Sequence, residues 1–312
     1  MKNRLLYGAL AVLMTAGILL TGCGNKADNT AETAAEVAED VVEEEATGEV
    51  EKDTSELIAS GDETVEAVEV VEDGMTPITA KQLVDGTYDI EVTSSSEMFH
   101  IEAATLTVAD GKMTCDMTMG GTGYLYLYMG TGAEAVTADE KDYIPFVEDG
   151  EVHHFVVPVE ALDSAEDCAA FSKRKEKWYE RQLCFRSDSL PLEAFRDDVF
   201  DTVASLELAD GTYTVDAALQ GGSGRASISS PATLTVAGGK ATLTVEWSSP
   251  NFDYMIVGGE KYLPVNTDGN STFEIPVEAF GYRMPVSADT TAMSTPHEIA
   301  YHITLDADSI TE

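Results

Sequence analysis

Basic side chains are scarce. The 312-residue chain carries 18 Lys and Arg against 57 Asp and Glu, a formal net charge of −39, so no basic face is available for nucleic acid or an anionic membrane. Cysteine is nearly absent: beyond Cys23 there are only Cys115, Cys168 and Cys184. This odd set, with no CxxC and no nearby His pair, excludes a disulfide framework and a zinc site. A Cys168–Cys184 pair and free buried thiols both fit the spacing. No HExxH or GxSxG occurs, and His100, His153, His154, His297 and His302 lack a nucleophile motif, so no enzyme is expected. His153-His154 beside Glu151 reads as exposed strand alternation. A glycosidase pair of carboxylates would need a deep cleft, which a small β domain seldom supplies.

No apolar run reaches the length of a membrane-spanning helix. Leu5 to Leu20 is about 16 residues long and follows a basic Lys2 and Arg4, which predicts a signal peptide over residues 1–22. Leu20-Thr21-Gly22-Cys23 has the lipobox pattern, so Cys23 is the expected lipid attachment point. Two acyl chains there would hold the protein at the outer face of a bacterial cell membrane without another anchor. Between Asn25 and Met75 stand 18 Asp and Glu against two Lys, with no aromatic residue. That composition predicts a disordered, self-repelling acidic tether over residues 23–78.

The remainder is an internal repeat. Leu83-Val84-Asp85-Gly86-Thr87-Tyr88 returns as Leu208-Ala209-Asp210-Gly211-Thr212-Tyr213, and Ala104 to Val108 with Gly111-Lys112 returns as Ala232 to Val236 with Gly239-Lys240. Pro158-Val159-Glu160-Ala161 matches Pro276-Val277-Glu278-Ala279, and Asp188-Ser189-Leu190 matches Asp308-Ser309-Ile310. Two domains follow, residues 79–190 and 205–312, joined by an acidic linker over residues 191–204. Within each the apolar period is two, broken by Asp110-Gly111 and Gly238-Gly239 hairpin signals, and Pro158 and Pro276 mark edges or bulges. The expected fold is all-β: two tandem immunoglobulin-like antiparallel sandwiches.

The second copy, in Asp210-Gly211-Thr212-Tyr213, Pro231 to Val236, Gly239-Lys240, Leu243-Thr244-Val245 with Ser248-Ser249, and Ile275-Pro276-Val277-Glu278, resembles the NEAT (near iron transporter) domain of cell-surface haem-uptake proteins; the first copy does so more faintly. The resemblance implies a sandwich that binds haem between a short helix after the second hairpin strand, in the lip that carries Ser248-Ser249, and the last hairpin. It also implies a Tyr-x-x-x-Tyr pattern on the last strand, whose first tyrosine ligates iron. Here Thr295 and Ile299 hold those positions in the second copy, Lys175 and Tyr179 in the first. The bis-methionine relatives of the family suggest a substitute in the second copy: Met255 as axial ligand, with Met293 or His297 facing it and Ser248, Ser249, Phe252, Tyr254 and Met284 around the ring. Methionine at 255 and 284 equally suits a sandwich core.

In the first copy, Tyr124, Tyr126 and Tyr128 alternate with leucines and are expected on one strand face, where they can stack on a flat ligand or a sugar. Ser172 to Arg181 gathers five basic residues, and Lys173, Lys175 and Tyr179 are the candidates there for carboxylates. A charged strand that resists edge pairing explains the same cluster. The function expected is binding of haem or an iron complex and its transfer to an uptake system, with the substrate-binding protein of an ABC importer as partner. The alternative is a surface module recognising carbohydrate or a host or cell-wall protein.

Overall fold

The computed structural model describes residues 54–60, 67–150, 152–292 and 297–312. The expected signal peptide over residues 1–22, Cys23, most of the acidic tract, Met293 and Thr295 lie outside the described residues. Lys52–Glu312 form one compact unit. No helix among the described residues is long and apolar enough to cross a membrane.

The first copy contributes β1 (Gly86–Asp89), β2 (Val92–Ser94), β3 (Ile101–Ala109), β4 (Lys112–Met119), β5 (Tyr124–Met129), β6 (Ile144–Pro145), β7 (Val147–Asp149), β8 (Val152–Val159), β9 (Glu166–Ser172) and β10 (Trp178–Phe185). A short α1 (Gly132–Thr137) follows β5, started by a capping box in which Thr131 and Glu134 exchange backbone hydrogen bonds. The second copy contributes β11 (Gly211–Val215), β12 (Ala217–Gly221), β13 (Ala232–Ala237), β14 (Lys240–Glu246), β15 (Phe252–Val257), β16 (Glu260–Tyr262), β17 (Thr272–Val277), β18 (Met284–Thr290) and β19 (His297–Leu305). These strands form four sheets, in the orders β1-β3-β4-β8-β7, β2-β10-β9-β5-β6, β11-β13-β14-β17 and β12-β19-β18-β15-β16. All named strand pairs are antiparallel. The two halves share one topology, β7 being the addition in the first, and the fold is an all-β sandwich repeated.

Period-two patterning builds each core. Leu106 and Val108 on β3 face inward with Met113, Cys115 and Met117 on β4; Leu234 and Val236 on β13 do the same with Leu243 and Val245 on β14. The expected hairpins close on two residues each, Asp110 (φ 53°) with Gly111 (φ 70°) and Gly238 (φ 59°) with Gly239 (φ 75°). Both residues of each pair lie in the left-handed region that a type I′ turn requires. Pro276 lies on β17, an edge strand, where a missing N–H costs no ladder bond. Pro158 lies on β8 beyond the reach of β7, which pairs only with Val152 to His154, so it too faces an open edge.

The repeated motifs have a physical purpose. Tyr88 donates its phenol to the Val84 carbonyl at 2.9 Å, and Tyr213 donates to Ala209 at 3.0 Å. Ser189 accepts from the Glu91 amide at 2.9 Å and Ser309 from the Asp216 amide at 2.8 Å. In both copies the Asp-Ser-apolar signature therefore ties the chain after the last strand to the junction between the first two strands. Cys115, Cys168 and Cys184 are free and fully buried, and burial pushes each thiol up to about 12.

One expectation needs correction. The acidic tract was expected to stay extended through residue 78, yet its end belongs to the fold. Val70 is buried, the Val68 amide donates to the Ser95 carbonyl, and Ile78 joins the first core. Glu72 forms ion pairs with Arg186 and Arg283, so at this point the acid finds cations instead of repelling neighbours. The linker is also packed: Ala194 and Phe195 enter the first core, Val203 enters the second, and Phe195, Phe200 and Tyr282 stack edge to face.

The same ions fix the junction of the two sandwiches. Asp188, from the first copy, pairs with Arg186, with Arg283 of β18's approach and with His302 of β19 at 3.0 Å. Asp188, Arg186 and Arg283 are all buried. Burial pushes the Asp188 carboxyl up, but the hydrogen bonds and charges of His302 and Arg186 outweigh it and leave it well below the usual range.

Candidate functional site

The second copy does not assemble the expected haem lip. Met255 is fully buried in the core, and its Sδ accepts from the Trp247 indole N–H at 3.4 Å. Trp247 in turn stacks on Phe252 with ring centroids 4.0 Å apart. Residues of an alternating strand that pair with a buried tryptophan are core, so the choice of Met255 as iron ligand is corrected. Met284 lies half-buried where the two cores meet. Tyr254 donates to Glu298 at 3.1 Å under the Lys261 ammonium, 3.3 Å from its ring. Ser248 accepts from the Ser227 amide of the β12–β13 connection, and Ser249 accepts from Asn251 within its own turn. His297 is exposed at the start of β19. Met293, its proposed companion, lies outside the described residues.

The row of three tyrosines in the first copy is also broken. A register shift between Tyr124 and Tyr126 inserts an extra residue into β5, and an inserted residue sends the side chains before it to the other face. Tyr124 accordingly packs on the first core against Phe99, centroids 5.3 Å apart. Tyr126 and Tyr128 stay on the outer face with Tyr143, Phe171 and Trp178, beneath α1. An equivalent shift separates Phe252 from Tyr254 on β15. The bulge is thus part of the repeated design.

What the first copy does build is a cavity of about 590 Å³ at the end of its sandwich, within the range of roughly 300–1,000 Å³ typical of small-ligand sites. One wall is the β2–β3 connection with Ser95, Ser96, Met98 and His100; the β9–β10 hairpin supplies Ser172, Arg174, Lys175, Tyr179, Arg181 and Glu180, whose carboxylate accepts from the Gly132 amide at 2.7 Å; Ala67, Met119, Tyr124 and the glycines of the β4–β5 turn complete it. Tyr124, Lys175 and Tyr179 therefore line one cavity. Lys173 stands outside at the exposed hairpin tip, its amide bonded to the Gly123 carbonyl.

Local chemistry explains each placement. Ser95 is buried, its Oγ accepting from the Gln182 amide at 2.9 Å while its own N–H donates to the Gln182 carbonyl, which pins the connection to β10. Phe99 then plugs the core at 1% exposure and leaves Met98 outside at 70%. A thioether so exposed beside a cavity is unusual for methionine, which ordinarily fills gaps. His100 lies close against Gly120, where a Cβ would approach its ring to 2.6 Å and would have to displace the imidazole. At the tip, Glu176 takes a positive φ of 54° and the Ser172 amide donates to the Lys177 carbonyl, a tight turn that holds Arg174 and Lys175 at the cavity mouth. Neither has an ion-pair partner among the described residues.

Ser95, Ser96, Met98 and His100 escaped the sequence-based candidates, while Arg174 and Arg181 belong to the basic segment but were not singled out within it. A larger cavity of about 970 Å³ lies at the junction of the sandwiches, but Glu69, Glu72, Asp73, Glu91 and Asp188 line it and make it unsuited to an anion. His153, expected on an exposed face, is buried and stacked on Phe146 at 3.9 Å, while His154 approaches Asp116. No cluster of three metal-ligating side chains occurs among the described residues. Comparison with protein-family models and with curated proteins finds no match to this chain.

Proposed function

We propose that the protein is a lipid-anchored extracellular binding protein for haem or a similar flat iron complex, and that the first sandwich holds the cargo. The observation that carries this reading is the cavity. It gathers an exposed thioether, an imidazole and a phenol, from Met98, His100 and Tyr179, next to the Tyr124 ring. Thioether, imidazole and phenolate are the side chains that hold haem iron, and the aromatic surface suits a porphyrin face. In a chain of net charge −39, an anionic cargo would be repelled almost everywhere; Arg174 and Lys175 at the mouth supply local attraction. Anchoring through Cys23 would keep the site at the outer membrane face, where the cargo can pass to the substrate-binding protein of an importer.

Haemin titration of the chain without its signal sequence tests the reading. A Soret band at 1:1 stoichiometry is expected, and joint replacement Met98→Ala and His100→Ala should weaken binding at least tenfold, about 1.4 kcal/mol. No spectral shift at micromolar haemin, or an unchanged affinity in the double variant, removes the proposal. The outer-face cluster of Tyr126, Tyr143 and Phe171 favours recognition of a sugar or protein as the second reading; Tyr126→Ala, which leaves the cavity intact, separates the two.

A further inference from the structure

Arg181 is an anomaly in this molecule. It lies on β10 in register with Leu183, on the core side, and is only 5% exposed. Its guanidinium sits 4.4 Å from the Phe99 ring centroid and 5.1 Å from that of Tyr124. Nη2 donates to the Tyr179 carbonyl at 3.0 Å, Nη1 reaches the Tyr124 hydroxyl at 3.5 Å, and Nε has no partner. No carboxylate pairs with it among the described residues, although Arg186 and Arg283, equally buried, are both paired.

A guanidinium keeps its charge under all ordinary conditions, and taking it out of water without a counterion is costly. Two aromatic faces and two neutral acceptors offset part of that cost, not all. Carboxylates are not in short supply here, with 57 acidic residues in the chain. Arg181 also lines the first-copy cavity, so the missing anion has a route in.

We infer that the cavity is a carboxylate-binding site whose ligand is a planar aromatic acid, with its carboxylate on the Arg181 guanidinium and its ring against Tyr124. Such a pairing is charge-assisted and directional, which suits the fork of a guanidinium better than the point charge of a lysine. Arg174 and Lys175 draw the ligand in; Arg181 selects it. The inference rests on the cavity's being the ligand site, as proposed above, but not on iron.

The test compares protoporphyrin IX, its dimethyl ester and haemin by quenching of tryptophan fluorescence on the full extracellular chain. The free acid should bind at least tenfold tighter than the ester. That preference should survive the joint Arg174→Gln and Lys175→Gln change and vanish in Arg181→Gln, with Arg181→Lys intermediate. If Arg181→Gln proves unfolded by circular dichroism, Arg181→Lys and the acid-to-ester ratio of the unchanged protein decide. Equal binding of acid and ester, or a preference lost with Arg174 and Lys175 but kept without Arg181, overturns the inference and leaves haem binding standing. A preference for the free acid with no Soret response to haemin sustains the inference and removes the iron. Should no porphyrin bind, 2-naphthoate is titrated in the same way, and its failure overturns the inference as well.

Discussion

Replacement of Asp188 by alanine is expected to destabilise the folded unit by about 3–5 kcal/mol, the cost typical of removing one partner from a buried ion pair. Asp188 faces Arg186, Arg283 and His302, and two of these are buried cations contributed by different sandwiches. Without the carboxylate, Glu72 is their remaining counterion, and it is much more exposed. Urea denaturation followed by tryptophan fluorescence reads the loss; a change below about 1 kcal/mol would show the junction to be held by apolar packing alone.

The cluster also sets a direction for pH. Asp188 is held low by His302 and Arg186 against its burial, and Glu72 is held low by the hydrogen bond from Arg186 and the nearby charges. A carboxyl lower in the folded than in the unfolded chain stabilises fully above its unfolded pKa, about 4, and that contribution is lost as pH falls through the folded value. Asp163, buried next to Ser187 and pushed up by that burial, works in the opposite sense and loses its contribution as pH rises through its folded value. Stability should therefore fall on acidification below pH 4, and less steeply in the Asp188 variant.

The second large effect concerns Met255. Its replacement by alanine should cost about 2–5 kcal/mol, the range for deleting a large buried side chain, and should leave haem affinity unchanged. Sulfur accepts the Trp247 N–H, so the variant both opens a cavity and leaves an indole donor unsatisfied in the interior. Met255→Leu fills most of the volume and is expected to cost less than about 1.5 kcal/mol plus the lost hydrogen bond. Thermal unfolding and haemin titration of the same samples separate the two readouts. A large loss of affinity with little loss of stability would restore the second copy as the haem site.

Much of the fold was legible in the sequence because its signals are local. Asp110-Gly111 and Gly238-Gly239 demand left-handed backbone, and Pro158 and Pro276 cannot sit beside a fully paired neighbour, so turns and edges could be placed without coordinates. The repeat carried the duplication by itself. The site was harder. Strict alternation put Tyr124 with Tyr126 and Tyr128, but a single inserted residue in β5 reversed it, and nothing in Tyr124 to Tyr128 announces a bulge.

Sequence neighbours alone put Met255 at a rim; which face of β15 is core depends on Trp247, eight residues away. Two signals in the sequence do mark the site. On β10, period two sets Tyr179, Arg181, Leu183 and Phe185 on one face, so an arginine falls among core positions. Ser94-Ser95-Ser96 ahead of Met98, Phe99 and His100 marks a loop with one side chain to bury and two to present. The end of the acidic tract escaped because its partners, Arg186 and Arg283, lie more than a hundred residues away.

Methyl NMR of the chain from residue 23 onward with ¹³C-labelled methionine, before and after one equivalent of haemin, asks directly which sulfur the added haemin meets. The Met98 methyl should shift or broaden most, Met119 at the cavity wall less, and Met255 and Met284 should hardly move. A response centred on Met255, with Met98 unperturbed, would contradict the placement of the site in the first sandwich.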